Sequence, residues 1–164
     1  RSETLRDLGG CMSPFNAFLF LQGIETLPLR MDRHVSNALG IATWLDARSD
    51  VVSVSHPTLH YRENASLLEK YLPKGAGAVF CFELAGGRSA GQNFIRNVQL
   101  FSHLANVGDA KSLIIHPAST THRQLNNDEL QAAGIAPGTI RLSIGIEDID
   151  DLQWDLEQAF AQNN

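Results

Sequence analysis

The sequence predicts an α/β fold, a two-layer sandwich in which helices pack on a small sheet. Two long helical patterns open the chain, strand and helix patterns then alternate to its end, and no linker interrupts them. With 164 residues, 43% of them hydrophobic and 19% charged, the chain has the length and composition of one globular unit. Pattern alone leaves the direction of the strands open.

The first long helix is predicted to begin at Ser13-Pro14, a capping residue followed by a proline in the first turn, and to end near Ile24. Nearly all of its side chains are apolar, so it has no polar face for water. Such a helix must be covered on several sides. In a chain this small, part of the cover is expected to come from elsewhere.

Pro28 opens a second helix, in which apolar residues recur at helical spacing between positions 31 and 45. Residues 51–54 are typical of a strand, residues 65–72 of a short helix, and residues 78–84, bounded by glycines, of a second strand. This half of the chain is therefore expected to supply two strands of the sheet.

The second half continues the alternation. Ser89 is predicted to cap a helix, residues 112–116 to form a third strand, and residues 127–134 a short helix that ends at a glycine. Residues 139–146 alternate at period two and predict a fourth strand. Asp148 is predicted to cap the last helix, whose first turn carries acidic residues that the helix dipole favours.

Charge and hydropathy exclude several classes of function. The net charge is −5 and the three lysines are scattered, so no basic stripe for nucleic acid is present. No apolar run approaches the ~18 residues needed to cross a bilayer. Cys11 and Cys81 have no metal-ligand spacing and are interpreted as small buried residues of a reducing compartment. With no secretory signal recognised, a cytoplasmic protein without a metal site is expected.

The fourth predicted strand carries the best candidate for ligand binding. One of its faces is apolar, while the other presents Arg141 among small residues. A guanidinium group matches a carboxylate or a phosphate with two parallel hydrogen bonds. The alternative is a structural ion pair on a solvated face, with Glu147 as the candidate partner.

Two loops offer further polar groups. Asn106 could donate its amide and Val107 its backbone N–H to a ligand, although Asn, Gly and Asp at positions 106–109 are equally typical of a turn. Residues 116–122 place His116 and His122 near hydroxyl groups, but without a Gly-x-Ser-x-Gly turn or an orienting acid. The residues by themselves therefore offer an anion-binding arginine, and no nucleophile or cofactor site.

Five segments resemble the C-terminal part of pyridoxal-phosphate enzymes of Cys/Met metabolism. They are LGGCMSPFNAF at residues 8–18, GIETLPLRM at 23–31, NVGDAKSL at 106–113, HPASTTH at 116–122 and RLSIGIED at 141–148. The resemblance covers essentially the whole chain, and the last three segments are specific in combination. Within the family, NVGD and HRQL at residues 122–125 are most similar to the O-acetylhomoserine sulfhydrylases, also called homocysteine synthases.

The resemblance implies a fold-type I enzyme whose N-terminal domain, outside this chain, holds pyridoxal phosphate on a lysine. Residues 1–48 would be linking helices that join that domain, and residues 49–164 a substrate-binding domain with a mainly antiparallel sheet. Full-length members are two to three times longer and usually form homotetramers. No serine- or threonine-rich segment ending in lysine precedes Leu8, and the chain begins with Arg1 rather than methionine. We therefore expect a fragment that binds no cofactor and is inactive alone.

The implied reaction replaces the acetate of O-acetylhomoserine by sulfide and yields homocysteine. In this resemblance Arg141 matches the arginine that binds the substrate α-carboxylate. Asn106 and Val107 match the neighbouring pair that helps hold it, and Thr121 matches a threonine of the same corner. Cystathionine γ-synthase or lyase and methionine γ-lyase activities remain alternatives, as does a non-catalytic amino-acid-binding module.

Overall fold

The computed structural model describes residues 3–163, with seven α-helices and five strands among them. The helices are α1 (Thr4–Leu8), α2 (Pro14–Glu25), α3 (Leu27–Asp46), α4 (Tyr61–Tyr71), α5 (Gly87–Asn97), α6 (Asn127–Ala132) and α7 (Ile149–Ala161). The strands are β1 (Val51–Ser55), β2 (Val79–Leu84), β3 (Ser102–His103), β4 (Leu113–Ile115) and β5 (Thr139–Ser143). Residues 1, 2 and 164, which the predicted domain ranges include, lie outside the described part.

The strands form one sheet in the order β1-β2-β5-β4-β3. The pairs β1–β2, β2–β5 and β5–β4 are antiparallel, whereas β3 pairs with β4 in parallel. The predicted α/β sandwich with a mainly antiparallel sheet is therefore confirmed. Strand β3 was not predicted, because its two residues are too few to show a period and depend on pairing with Leu113 and Ile114.

Helices α3, α5 and α7 cover one face of the sheet. On that face the alternate side chains of β2 and β5 are buried, and Phe82, Phe94 and Phe160 pack as an aromatic cluster with centroid distances of 4.7 to 6.4 Å. The other set of alternate side chains faces away from these helices and includes Cys81, paired with Arg141 across β2 and β5. The polar face of the sheet is thus free of this helical layer.

Several helix ends follow the predicted capping chemistry. Ser13 accepts a hydrogen bond from the Asn16 N–H, and Asp148 accepts one from Asp150, so both predicted caps are confirmed. The prediction that Ser89 caps α5 is wrong. That helix begins at Gly87 after Gly86, whose φ of 92° lies in the left-handed region that glycine adopts without strain.

Helix α2 buries none of its residues within the described chain. Its aromatic side chains Phe15, Phe18 and Phe20 are 68%, 55% and 61% exposed. The helix packs mainly against α3 at its C-terminal end. The apolar sequence of α2 therefore has no matching core on this chain, as the sequence led us to expect.

A buried carboxylate fixes the connection between α5 and β3. Asp155 on α7 is fully buried and accepts the backbone N–H groups of Gln99, Leu100 and Phe101 at 2.7, 2.8 and 3.0 Å. These donors have no strand or helix partner at this turn, so the carboxylate takes the place of secondary structure. Strand β3 begins at the next residue, Ser102.

Arg48 contacts the C-terminal half of α7 and closes the helical layer there. Its guanidinium pairs with Asp50 at 2.8 Å and with Glu157, and it lies over the rings of Trp44 and Phe160 at 4.9 and 4.0 Å from their centroids. The hydrogen bonds from Arg48 lower the pKa of Asp50. The ion pairs and the ring stacking thus involve the same side chain, Arg48.

The two cysteines do not occupy the deep core. Cys11 is exposed and Cys81 is half-buried on the polar face of the sheet, so the prediction of two buried residues is wrong for Cys11. Both thiols are free. None of the helices described here is long and apolar enough to cross a membrane.

Candidate functional site

Arg141 lies in the middle of β5, opposite Cys81 of β2 on one side and Ile115 of β4 on the other. The alternation of the strand puts its guanidinium on the polar face, because Ile140 and Leu142 on either side are fully buried against the helices. Its Nη2 donates to the backbone oxygen of Asn106 at 3.4 Å. This long bond leaves most of the five guanidinium N–H donors available to a ligand.

No acidic residue pairs with Arg141 in the part of the chain described here. The alternative of an ion pair with Glu147 is wrong, because that carboxylate accepts the backbone N–H and the hydroxyl of Ser112 instead, at 2.6 and 2.9 Å. An arginine with a positive charge and no internal counter-ion, on a partly buried surface, is a natural site for an anion.

A cavity of about 340 Å³ opens over this arginine. Small polar side chains of β1, Ser53 and Ser55, line it together with Cys81 and His122. Burial raises the pKa of the Cys81 thiol, while the charge of Arg141 acts in the opposite direction. The cavity has room for a small amino acid and presents one strong anion-binding group.

The structure brings Asn106 next to Arg141, as the predicted site requires. Both Asn106 and Val107 are exposed, and the Val107 N–H donates to Asn106 Oδ1 at 2.9 Å. Gly108 has a φ of 76° and Asp109 accepts the Lys111 N–H at 3.0 Å, so the segment is also a turn. The Val107 N–H can reach a ligand once the Asn106 side chain turns away from it.

Thr121 lies on the flank of the site. It is exposed, its hydroxyl is 2.9 Å from His122 Nδ1, and it lines a separate cavity of about 360 Å³ with Leu104 and Ala105. Thr121 therefore borders the Asn106 loop from the other side, while its neighbour His122 lines the cavity that contains Arg141.

His116 has a structural position that its sequence motif did not disclose. It is fully buried, with Nδ1 2.8 Å from the Ser119 hydroxyl and Nε2 2.7 Å from the Pro137 carbonyl. A carbonyl oxygen can only accept, so Nε2–H donates to Pro137. The neutral ring therefore accepts the Ser119 hydroxyl at Nδ1. Burial is the main cause that lowers the pKa of His116. Both nitrogens are thus hydrogen-bonded within the fold, and His116 lines neither the cavity at Arg141 nor the one at Thr121.

A metal ion or a cofactor would need suitable ligands among the described residues. Within the described ranges no cluster of three or more His, Cys, Asp or Glu side chains could hold a metal. Lys70, Lys74 and Lys111 are exposed, and none of them lines the cavity at Arg141. These lysines do not fit the carrier that pyridoxal phosphate requires next to a bound substrate.

Known proteins resemble this chain over nearly its whole length. A family model described as Cys/Met metabolism PLP-dependent enzyme matches residues 1–161. An O-acetyl-L-homoserine sulfhydrylase of Leptospira meyeri is 51% identical over 160 residues, which is 97% of this chain and 36% of the relative. The chain thus spans little more than a third of that relative's length.

Solved structures show the same relationship in three dimensions. A Campylobacter jejuni structure that contains N′-pyridoxyl-lysine-5′-monophosphate superposes with a TM-score of 0.83 at 46% identity, over 97% of this chain and 38% of the other. A cystathionine gamma synthase of Xanthomonas oryzae pv. oryzae in complex with cystathionine gives 0.82 at 40% identity, over 96% and 40%. The chain belongs to the family of pyridoxal-phosphate-dependent enzymes of Cys/Met metabolism.

Proposed function

We propose that this chain is the substrate-carboxylate-binding part of an O-acetylhomoserine sulfhydrylase, which exchanges the acetate of O-acetylhomoserine for sulfide and yields homocysteine. The observation that carries the proposal is Arg141, a cation without an internal counter-ion in a cavity of amino-acid size. The 51% identity to a sulfhydrylase, against 40% to a cystathionine gamma synthase, favours this member of the family.

The role of Arg141 follows from its chemistry. Its planar guanidinium donates two parallel charge-assisted hydrogen bonds to the two oxygens of an α-carboxylate, which fixes the orientation of the amino acid as well as its position. Asn106 adds a side-chain amide at the same corner, and the Val107 N–H is freed when that amide turns toward the ligand. Thr121 would complete the wall beside them.

Pyridoxal phosphate, when bound, supplies the electron sink for the exchange of the leaving group. Because the lysines of this chain do not fit its carrier, we assign its site to the remainder of the protein, an N-terminal domain. The contribution of the present chain is then to bind the substrate, to orient it and to exclude water around Arg141. On this proposal the chain is inactive alone.

The exposed helix α2 supports a linking role within residues 1–48, whereas α3 of the same range packs into the core of the proposed substrate-binding domain, residues 49–164. The apolar side chains of α2 lack a core on this chain, so a further body must cover them in the full-length protein. We assign this cover to the N-terminal domain, within a homotetramer. The free thiols are in keeping with a cytoplasmic location.

The full-length protein tests the proposal. Incubated with O-acetylhomoserine and sulfide, it should form homocysteine at a higher kcat/KM than it shows with cystathionine or methionine as substrates. A higher kcat/KM with cystathionine or methionine would instead assign a γ-lyase activity. The 164-residue chain alone, mixed with pyridoxal phosphate, should leave the absorbance of the free cofactor unchanged and form no homocysteine.

A non-catalytic amino-acid-binding module makes a different prediction. Such a module would bind O-acetylhomoserine with micromolar affinity by calorimetry on the isolated chain, and the binding would be lost in Arg141→Ala. We expect no such binding, because this chain supplies only the wall around Arg141 and the proposal places the cofactor-bearing wall outside this chain.

A further inference from the structure

Glu147 lies four residues beyond the end of β5 and does not itself line the cavity at Arg141. Its Oε1 accepts the Ser112 N–H at 2.6 Å, and its Oε2 accepts the Ser112 hydroxyl at 2.9 Å. The same hydroxyl oxygen accepts the Gly145 N–H at 2.8 Å. Ser112 is fully buried, so these bonds form away from competing water.

This cluster holds the end of the loop that carries Asn106. The loop runs from residue 104 to residue 112, between β3 and β4, and its end is also bound by the Ile146 N–H, which donates to the Ala110 carbonyl at 3.0 Å. A side chain at Gly145 would come within 2.3 Å of Glu147 Oε2 and 2.4 Å of the Ala110 oxygen. The close approach of the loop to the segment after β5 therefore requires glycine at this position.

Helix α3 holds the same segment from the opposite side. Asn37 Nδ2 donates to the carbonyls of Gly145 and Glu147 at 3.2 and 2.9 Å, and His34 Nδ1 donates to the Ile144 carbonyl at 2.6 Å. His34 and Asn37 are both buried. Residues 144–147 are thus fixed to α3, and Glu147 transmits that fixed position to the loop through Ser112.

We propose that Glu147 is a positioning residue for the carboxylate site, an inference that rests on the proposed role of Arg141. Its bonds to Ser112 fix the end of the loop and so keep the Asn106 backbone oxygen at Arg141.

The test uses the full-length protein and measures KM and kcat for O-acetylhomoserine with sulfide. Glu147→Gln keeps the shape of the side chain and removes its charge. We expect KM to rise roughly ten-fold with kcat within about two-fold, since the loss of one charge-assisted hydrogen bond weakens binding by about this factor. Amide hydrogen exchange in residues 106–112 should become faster without any ligand present.

Ser112→Ala provides a second variant that reaches the same bond from the loop. It should also raise KM roughly ten-fold, and the double variant should raise it little beyond the larger single change, because both variants act on the bond between the Ser112 hydroxyl and Glu147. If Glu147→Gln does not fold, Ser112→Ala alone decides, and an unchanged KM in it overturns the proposal. Additive effects in the double variant overturn it as well.

Glu157→Gln is the matched control, because it removes a carboxylate that also accepts a hydrogen bond, from Arg48, in the helical layer. It should leave KM unchanged, and an equal rise in both Glu variants would mean a general loss of stability. Arg141→Ala separates the two proposals. If it leaves KM unchanged, the proposed function fails. If it raises KM while Glu147→Gln does not, only the role of Glu147 fails.

Discussion

Replacing Asp155 by asparagine tests the anchor that connects the helical layer to the site. Each oxygen of this fully buried carboxylate accepts two hydrogen bonds. Oδ1 accepts Gln99 N and Gln158 Nε2, and Oδ2 accepts Leu100 N and Phe101 N. Asparagine keeps one oxygen and turns the other into an NH₂ group. Its better orientation keeps the oxygen at Leu100 N and Phe101 N and places the NH₂ group opposite the Gln99 N–H and the Gln158 amide.

The expected cost follows from these contacts. A hydrogen bond to a charged group contributes about 1.5–3 kcal/mol, and two are lost, those donated by the Gln99 N–H and the Gln158 amide. Taking the lower value for each gives a loss of about 3 kcal/mol in the free energy of unfolding. With a urea slope of about 2 kcal/mol/M, the midpoint falls by roughly 1.5 M.

Urea unfolding of this chain at pH 7, followed by tryptophan fluorescence, measures the change. Trp44 is a suitable reporter because its ring packs edge-on against Phe160 of α7 at 6.0 Å. Asp151→Asn is the control, an exposed acid in the first turn of the same helix, which should cost about 0.5 kcal/mol. A loss below about 1 kcal/mol for Asp155→Asn would show that the carboxylate is not the anchor.

Two further predictions concern stability. Arg48→Lys should lower the free energy of unfolding by about 1–2 kcal/mol, because lysine cannot form the two-pronged pair with Asp50 and stack on the two rings at once; an unchanged urea midpoint would refute this. Burial lowers the pKa of His56 and of His116, so the folded state favours their neutral forms. Each histidine makes its full contribution to the free energy of unfolding above about pH 6.5. Below that pH the contribution falls by up to about 1.4 kcal/mol per pH unit, because the unfolded chain takes up protons first. Urea midpoints at pH 7.5 and 5.5 check the sign, and a higher midpoint at pH 5.5 would contradict it.

Much of the fold was predictable because it depends on local chemistry. Ser13 and Asp148 cap helices through hydrogen bonds from residues two or three positions away, and such short-range patterns can be recognised in the sequence. The period-two pattern around Arg141 likewise predicted which face its side chain occupies. Strand β3 left no such signal, because its two residues become a strand only through their pairing with β4.

The sequence suggested candidate site residues but not the contacts that support them. Arg141 stood out as a cation among small residues, and the resemblance to a known family drew attention to Asn106. The link from Glu147 to Ser112 joins residues 35 positions apart through side-chain atoms, and no spacing rule indicates it. From sequence, Glu147 suggested a partner for Arg141. The buried serine that occupies it became visible only in three dimensions.

The binding of the substrate carboxylate by Arg141 is tested most directly in Arg141→Ala of the full-length protein. KM is measured for O-acetylhomoserine. Inhibition constants are measured for an amino-acid analogue of this substrate and for the carboxamide of that analogue, which lacks the carboxylate charge. Loss of a two-pronged charged pair should raise KM and the inhibition constant of the acid roughly 100-fold, while the carboxamide changes by less than about three-fold. Equal changes for acid and carboxamide, or an unchanged KM, would contradict the role proposed for Arg141.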